Sequence, residues 1–151
     1  MSLDNLYREV ILDHYRKPRR RGSLVQPDAH AEGQNPLCGD EISLDLAVHG
    51  DRVADVRILG RGCSISQASA SMMAEAVVGK TLAEVADLTH RFKAMMEIEE
   101  GDPGIDESRP GAALGDLEAL RGVRRFPVRI KCADLPWVAL SDALAALPRT
   151  D

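Results

Sequence analysis

Four residues carry the chemistry most legible in this 151-residue chain: Cys38 and Asp40 in Asn35-Pro36-Leu37-Cys38-Gly39-Asp40, Cys63 in Gly62-Cys63-Ser64, and Cys132 in Arg129-Ile130-Lys131-Cys132. The cysteines, 25 and 69 residues apart, match no zinc-finger spacing, and spacing alone leaves open three inert buried thiols. Their context argues for more, because each falls in a turn or at the end of an element. Cys63 stands where alternation (Val56 and Ile58 apolar, Asp55 and Arg57 polar) gives way to small residues leading to Met72, Met73, Ala76 and Val77 at helical spacing. Such a strand-to-helix junction offers unpaired backbone N–H groups and the positive end of a helix dipole, which favour thiolate over thiol. In Cys38-Gly39-Asp40, residues i and i+2 of an extended segment point to one side, and Gly39 lets the backbone bend so that both reach one ion. Three thiolates and a carboxylate make a tetrahedral set suited to zinc.

The elements that must position these groups follow from periodicity. Leu3, Leu6, Tyr7, Val10, Ile11 and His14 form a helical stripe closed by Lys17-Pro18. The basic cluster Arg16 to Arg21 reads as a solvated helix end, with a docking patch for an acidic partner as the alternative. Residues 22–36 carry no period and read as a loop. Ile42, Leu44, Leu46 and Val48 alternate with polar residues as a half-buried strand, Gly50-Asp51 turns, and 53–59 returns antiparallel with a bulge near Arg52 to Asp55. Helices are expected near 3–16, 66–79, 82–96, 116–121 and 133–147. Gly79 ends the second, and Thr81-Leu82-Ala83-Glu84 is a capping box for the third. Pro136 belongs in a first helical turn, so the last helix is expected to begin between Lys131 and Leu135, with Cys132 at its N-terminus. The methionine pairs 72–73 and 95–96 are core filling. The fold class is therefore α+β, a small antiparallel sheet packed on helices. Residues 1–151 form one domain with an acidic loop insertion at about 97–115, rich in Glu, Asp, Gly and Pro.

Composition excludes several functions. Aromatic residues make up only 3% and the net charge is −5, which argues against base stacking and the basic footprint of nucleic-acid binding. No apolar run approaches a membrane span, no signal peptide is visible and the cysteine count is odd, so a cytoplasmic protein without a disulfide framework is expected. His14, His30, His49 and His90 have no spacing relation to the cysteines and read as surface or packing residues. Arg129, three residues before Cys132, is a candidate to balance the formal charge of a three-cysteine, one-aspartate zinc site.

Together, Tyr7-Arg8-Glu9-Val10-Ile11-Leu12-Asp13-His14-Tyr15, Asn35 to Asp40, Gly62-Cys63-Ser64-Ile65-Ser66 with Ala68-Ser69-Ala70-Ser71-Met72-Met73, and Phe126-Pro127-Val128-Arg129-Ile130-Lys131-Cys132 resemble the SufU branch of the iron–sulfur scaffold family that also contains IscU and the N-terminal part of NifU. The resemblance spans about Leu3 to Leu147. It implies a zinc site from Cys38, Asp40, Cys63 and Cys132, and transfer of persulfide sulfur from a pyridoxal-phosphate cysteine desulfurase of the SufS type to Cys38. It further implies that a desulfurase histidine takes the place of Cys38, freeing its thiolate, and that downstream iron–sulfur assembly machinery receives the sulfur. Lys131 stands where IscU-type scaffolds place histidine, and Arg125-Phe126-Pro127-Val128-Arg129 where they carry a Leu-Pro-Pro-Val-Lys chaperone motif. Both departures favour a sulfur carrier, or sulfurtransferase, over a scaffold holding a transient [2Fe–2S] cluster or iron at the same residues. A purely structural zinc protein is the third reading.

Overall fold

A computed structural model describes residues 3–148, the side chains of 3 and 4 excepted. The order is α1 (Leu3–Arg16), β1 (Ala29–Asn35), β2 (Asp40–His49), β3 (Arg52–Arg61), α2 (Ser64–Val77), α3 (Leu82–Met95), a 3-10 helix (Gly115–Arg125) and α4 (Pro127–Ala145). The three strands form one antiparallel sheet in the order β1-β2-β3. Ile42, Leu44, Leu46, Val53, Val56 and Ile58 are buried on its inner face, as their alternation requires. Against that face lie α4, over β1 and β2, and α2, over β3, with α1 on the outside of α2. Phe92 stacks on Trp137 with ring centroids 4.5 Å apart, and Met72, Met73, Met95 and Met96 are all core residues.

Much of the expected local structure is present. The pairing of β2 with β3 shifts register at Ala47/Val48, which leaves Ala54 as the extra residue of a bulge. Thr81 accepts the Glu84 backbone N–H at 3.1 Å while the Glu84 carboxylate accepts the Thr81 N–H at 3.0 Å, a reciprocal capping box.

Three expectations are corrected. Residues 29–35, read as loop, form a strand paired along its whole length with β2. Its inward positions are Ala29, Ala31, Gly33 and Asn35, small because α4 crosses directly above. A Cβ on Gly33 would lie 2.9 Å from Leu135 Cδ1, so that position has room for a side chain only if Leu135 moves, and the strand carries none of the β-branched residues that advertise one. The last helix begins at Pro127, not beyond Lys131, and Pro136 lies inside it. Pro127 takes the first-turn position where a missing N–H costs nothing, while Pro136 removes the donor that would meet the Cys132 carbonyl. Cys132 is therefore buried more than a turn inside α4 rather than at its N-terminus. The expected short helix at 116–121 is a longer 3-10 helix, 115–125. Leading into it, the acidic stretch is fastened to the body by Arg124–Glu97 (2.7 Å) and Arg121–Glu107 (2.8 Å). Glu118, 1% exposed, accepts the backbone N–H groups of Gly111, Ala113 and Leu114.

Candidate metal centre

Turn residues Pro36 to Gly39 join β1 to β2, and Asn35 pairs with Asp40 across the turn. The Cys38 N–H donates to the Asn35 carbonyl at 3.2 Å, and Gly39 adopts φ +68°, the left-handed conformation that lets this turn close. Cys38 therefore rides on the turn, half-buried, while Asp40 at the strand start is 1% exposed. At the far end of β3, Gly62 (φ +138°) brings the backbone against that aspartate: a Cβ there would lie 2.1 Å from Asp40 Oδ1. The close approach lets the Cys63 N–H donate to Asp40 Oδ1 at 2.7 Å. One carboxylate oxygen is thus held by the backbone at the start of α2, and the other, Oδ2, lies 3.7 Å from Cys63 Sγ.

Three of the serines after Cys63 serve different neighbours. Ser66 Oγ donates to the Cys63 carbonyl at 3.1 Å. Ser69 Oγ donates to the Ala133 carbonyl on α4 at 2.7 Å and accepts the Trp137 indole N–H at 3.2 Å, fixing α4 against α2 beside Cys132. Ser71 Oγ accepts the Arg19 N–H at 2.9 Å and meets His14 Nδ1 at 2.8 Å. His14, fully buried, also reaches Asp116 at 2.8 Å; it packs α1 onto the body and lies outside the cysteine cluster.

Cys38 Sγ and Cys132 Sγ are 3.1 Å apart, and the ligand atoms of Cys38, Asp40 and Cys132 all lie within 4.8 Å of one another. Cys63 does not fall within that distance of all three, yet its sulfur adjoins Asp40 and influences the Cys132 thiol. Four donors held about 2.0–2.3 Å from one tetrahedral ion stand roughly 3.3–3.8 Å apart; the separations here of 3.1 and 3.7 Å lie close to that. The donor chemistry, sulfur with one carboxylate, suits zinc or iron rather than magnesium or calcium. Burial, then the neighbouring Cys38, Asp40 and Cys63, pushes the Cys132 thiol well up from its ordinary range. A proton is therefore costly to remove there unless a cation takes its place. Arg129 meets Cys63, and that contact with the three-cysteine cluster holds the guanidinium above its usual value.

The family model for the NifU-like N-terminal domain matches residues 6–145. The chain belongs to that family. Among relatives of this NifU-like domain, the zinc-dependent sulfurtransferase SufU of Bacillus subtilis (strain 168) is 46% identical over 144 residues, covering 95% of this chain and 92% of its own. The iron–sulfur cluster assembly scaffold protein IscU of Streptococcus pyogenes serotype M1 is 41% identical over 143 residues, covering 95% and 85%. A crystal structure of a candidate SUF-system scaffold protein from Fervidobacterium islandicum AW-1 superposes with a TM-score of 0.80 at 34% identity, covering 95% of this chain and 99% of that one.

Of the four site residues expected from the sequence of this NifU-like chain, Cys38, Asp40 and Cys132 come together within 4.8 Å, and Cys63 adjoins Asp40 without joining that group. Reasoning from sequence missed Asn35, which is buried and directs its amide Nδ2 to Cys132 Sγ at 3.6 Å; its place one strand position before the turn would have pointed to it had β1 been recognised. Ser66 was likewise not singled out. Two of the five basic residues of the cluster pair within the chain: Arg19 with Asp13 (2.6 Å) and Glu75 (3.6 Å), and Arg20 with Asp55 (2.8 Å). Beside the cysteines, a groove of about 950 Å³ runs between α1, the 3-10 helix and the start of α4, lined by Tyr7, Ile11, Ile65, Phe126, Val128 and Arg129. Phe126 and Val128 are more than 60% exposed in it. Among the described residues no helix is long and apolar enough to cross a membrane.

Proposed function

We propose that this NifU-like domain is a zinc-dependent sulfur acceptor that takes persulfide sulfur from a pyridoxal-phosphate cysteine desulfurase of the SufS type and passes it to iron–sulfur cluster assembly in the cytoplasm. The observation that carries the reading is the placement of Cys38. It is the member of the cluster on a turn, half-exposed, with its sulfur 3.1 Å from that of the wholly buried Cys132. Cys38, Asp40, Cys63 and Cys132 would hold the metal, and zinc bound there keeps the sulfurs deprotonated. Asp40, steered by the Cys63 N–H, and Cys132, buried beside Asn35, are fixed, and the Cys63 carbonyl accepts the first hydrogen bond of α2; Cys38, on the turn 36–39, can swing outward without unwinding a helix or strand. The Cys38 thiolate attacks the terminal sulfur of the desulfurase persulfide. A bond forms between Cys38 Sγ and that sulfur, the desulfurase's own S–S bond breaks, and its cysteine leaves as thiolate, with no net oxidation. The apolar groove ending at Arg129 and Ile65 is where the desulfurase is expected to dock. The acidic stretch 97–115 is read as an insertion in a single domain.

The similarity to scaffold proteins named IscU supports a second reading, a transient [2Fe–2S] cluster at the same residues. Intact-mass spectrometry of the zinc-loaded chain after incubation with desulfurase and cysteine separates them. The carrier reading expects the mass of added sulfur with zinc retained. The scaffold reading expects no such adduct, but a visible-absorbing cluster after anaerobic reconstitution that passes to apo-ferredoxin. A purely structural zinc site expects neither.

A further inference from the structure

We propose that Cys38 and Cys132 form a selective intramolecular disulfide on exposure to hydrogen peroxide, an oxidative lock that leaves Cys63 as the free thiol. The proposal stands on the arrangement of the three sulfurs and rests on the metal reading only for its consequence. Cys38 Sγ and Cys132 Sγ are 3.1 Å apart in a chain whose three cysteines are all free, so forming the bond asks the sulfurs to close by only about 1 Å. Cys38 sits on the turn 36–39, which can supply that movement, whereas Cys132 is fixed inside α4 with the Asn35 amide on its sulfur. Cys63 is oriented differently: its sulfur faces Asp40 Oδ2 at 3.7 Å and Ser66 Oγ at 3.9 Å, and Arg129 lies against it. It is the cysteine that does not lie within 4.8 Å of the other donors together.

Exposure and proximity set the order of events. Cys38 and Cys63 are both half-exposed and Cys132 is wholly buried; it is Cys38 whose sulfur lies 3.1 Å from that of Cys132, so a sulfenic acid formed there is the one placed to be resolved. The Cys38 thiolate attacks one peroxide oxygen, the O–O bond breaks, and sulfenic acid and hydroxide form. The Cys132 sulfur then displaces the sulfenic oxygen: the S–S bond forms, the S–O bond breaks, and the oxygen leaves as water with the thiol proton. Peroxide is reduced by two electrons, one from each sulfur, and one hydroxide and one water result. The disulfide removes two of the four donors, one of them the proposed sulfur acceptor, in one step, and a dithiol reductant restores both.

Trypsin would release the three cysteines on separate peptides, since Arg61, Lys80 and Lys131 cut between them. Zinc-loaded chain should be treated with peroxide, blocked with an alkylating agent and mapped by mass spectrometry without reduction, with released zinc followed by a chromogenic chelator. The expected result is a crosslink between the Cys38 and Cys132 peptides, alkylated Cys63, monomeric protein on a non-reducing gel, and zinc released in step with the crosslink. Cys63→Ser should still form the Cys38–Cys132 crosslink, and Cys132→Ser should halt at a Cys38 sulfenic acid that a dimedone probe captures. Crosslinking of Cys63 to either partner in comparable yield, or loss of zinc with no Cys38–Cys132 crosslink, overturns the proposal. The crosslink without zinc release would uphold the lock and instead contradict the metal reading.

Discussion

Replacing Gly62 by alanine tests how the backbone at the start of α2 holds Asp40. The added Cβ would meet Asp40 Oδ1 at 2.1 Å, its Cα at 2.7 Å and its Cγ at 2.9 Å, and the residue has φ +138°. Two penalties apply. A non-glycine residue in that conformation costs roughly 1–3 kcal/mol, and forcing a methyl into a filled space costs about as much again, ~1–3 kcal/mol. Gly22 isolates the first penalty: its φ is +142°, yet a Cβ there would meet nothing within 4 Å. Gly22→Ala should therefore lose only the conformational part, and Gly62→Ala about 2–6 kcal/mol. At roughly 2–4 °C per kcal/mol for a chain of this size, Gly62→Ala should lower Tm by about 5–20 °C. Its displaced aspartate should also surrender zinc sooner to a competing chelator, with Gly22→Ala holding zinc as the wild type does. Melting by circular dichroism alongside chelator competition reads both. If the two variants melt together and retain zinc equally, Gly62 does not position Asp40 and the account of this corner is wrong.

Asp40→Ala should weaken zinc retention while all three thiols still react with a thiol reagent in the unfolded protein; unaltered retention would remove Asp40 from the donor set. Glu118→Ala strands three backbone N–H donors at 111, 113 and 114, each worth about 1.5–3 kcal/mol to a charged acceptor. Urea unfolding should show a loss of at least ~3 kcal/mol, with faster amide exchange at those residues, and an unchanged midpoint would refute the anchor. The Asp45 hydrogen bond at 2.6 Å raises the His30 pKa, against a smaller opposing effect of desolvation. A raised folded-state value means that the stabilisation is fully present below about pH 6.5 and is lost as pH rises through the folded pKa. Tm should fall over that window, and His30→Gln should remove the dependence; the side chain is half-exposed, so the effect should be small. A wild-type profile identical to that of the variant would contradict it.

The parts of this molecule that were legible in its sequence are those whose signal is local. Thr81 and Glu84 cap each other within four residues, and Ile42, Leu44 and Leu46 alternate because helices cover one face of the sheet. Cys38, Asp40 and Cys63 were legible because each sits at a turn or beside a glycine, whereas Cys132 was read as a helix start and lies inside a helix. Tertiary demands concealed the rest. β1 is spelled Ala29-His30-Ala31-Glu32-Gly33-Gln34-Asn35, its inward positions small and Gly33 set close against Leu135, so no strong hydrophobic alternation marks it. Two prolines compete for the start of α4, and only packing against α2 through Ser69 reveals that Pro127 opens it and Pro136 is borne inside. That misplacement hid the different environments of two cysteines: Cys63 lies at a helix start beside backbone donors, whereas Cys132 is buried inside a helix where its thiol is hard to ionise.

The central claim, that Cys38 receives the sulfur, is tested most directly by locating the persulfide. The zinc-loaded chain and its Cys38→Ala variant would each be incubated with the desulfurase and cysteine, blocked with an alkylating agent and mapped by peptide mass spectrometry. The account predicts an added sulfur atom on Cys38 of the wild type, and a variant that still folds and binds the desulfurase but carries no persulfide and does not stimulate turnover. Persulfide on Cys63 or Cys132 of the variant, with full stimulation of the desulfurase, would contradict it.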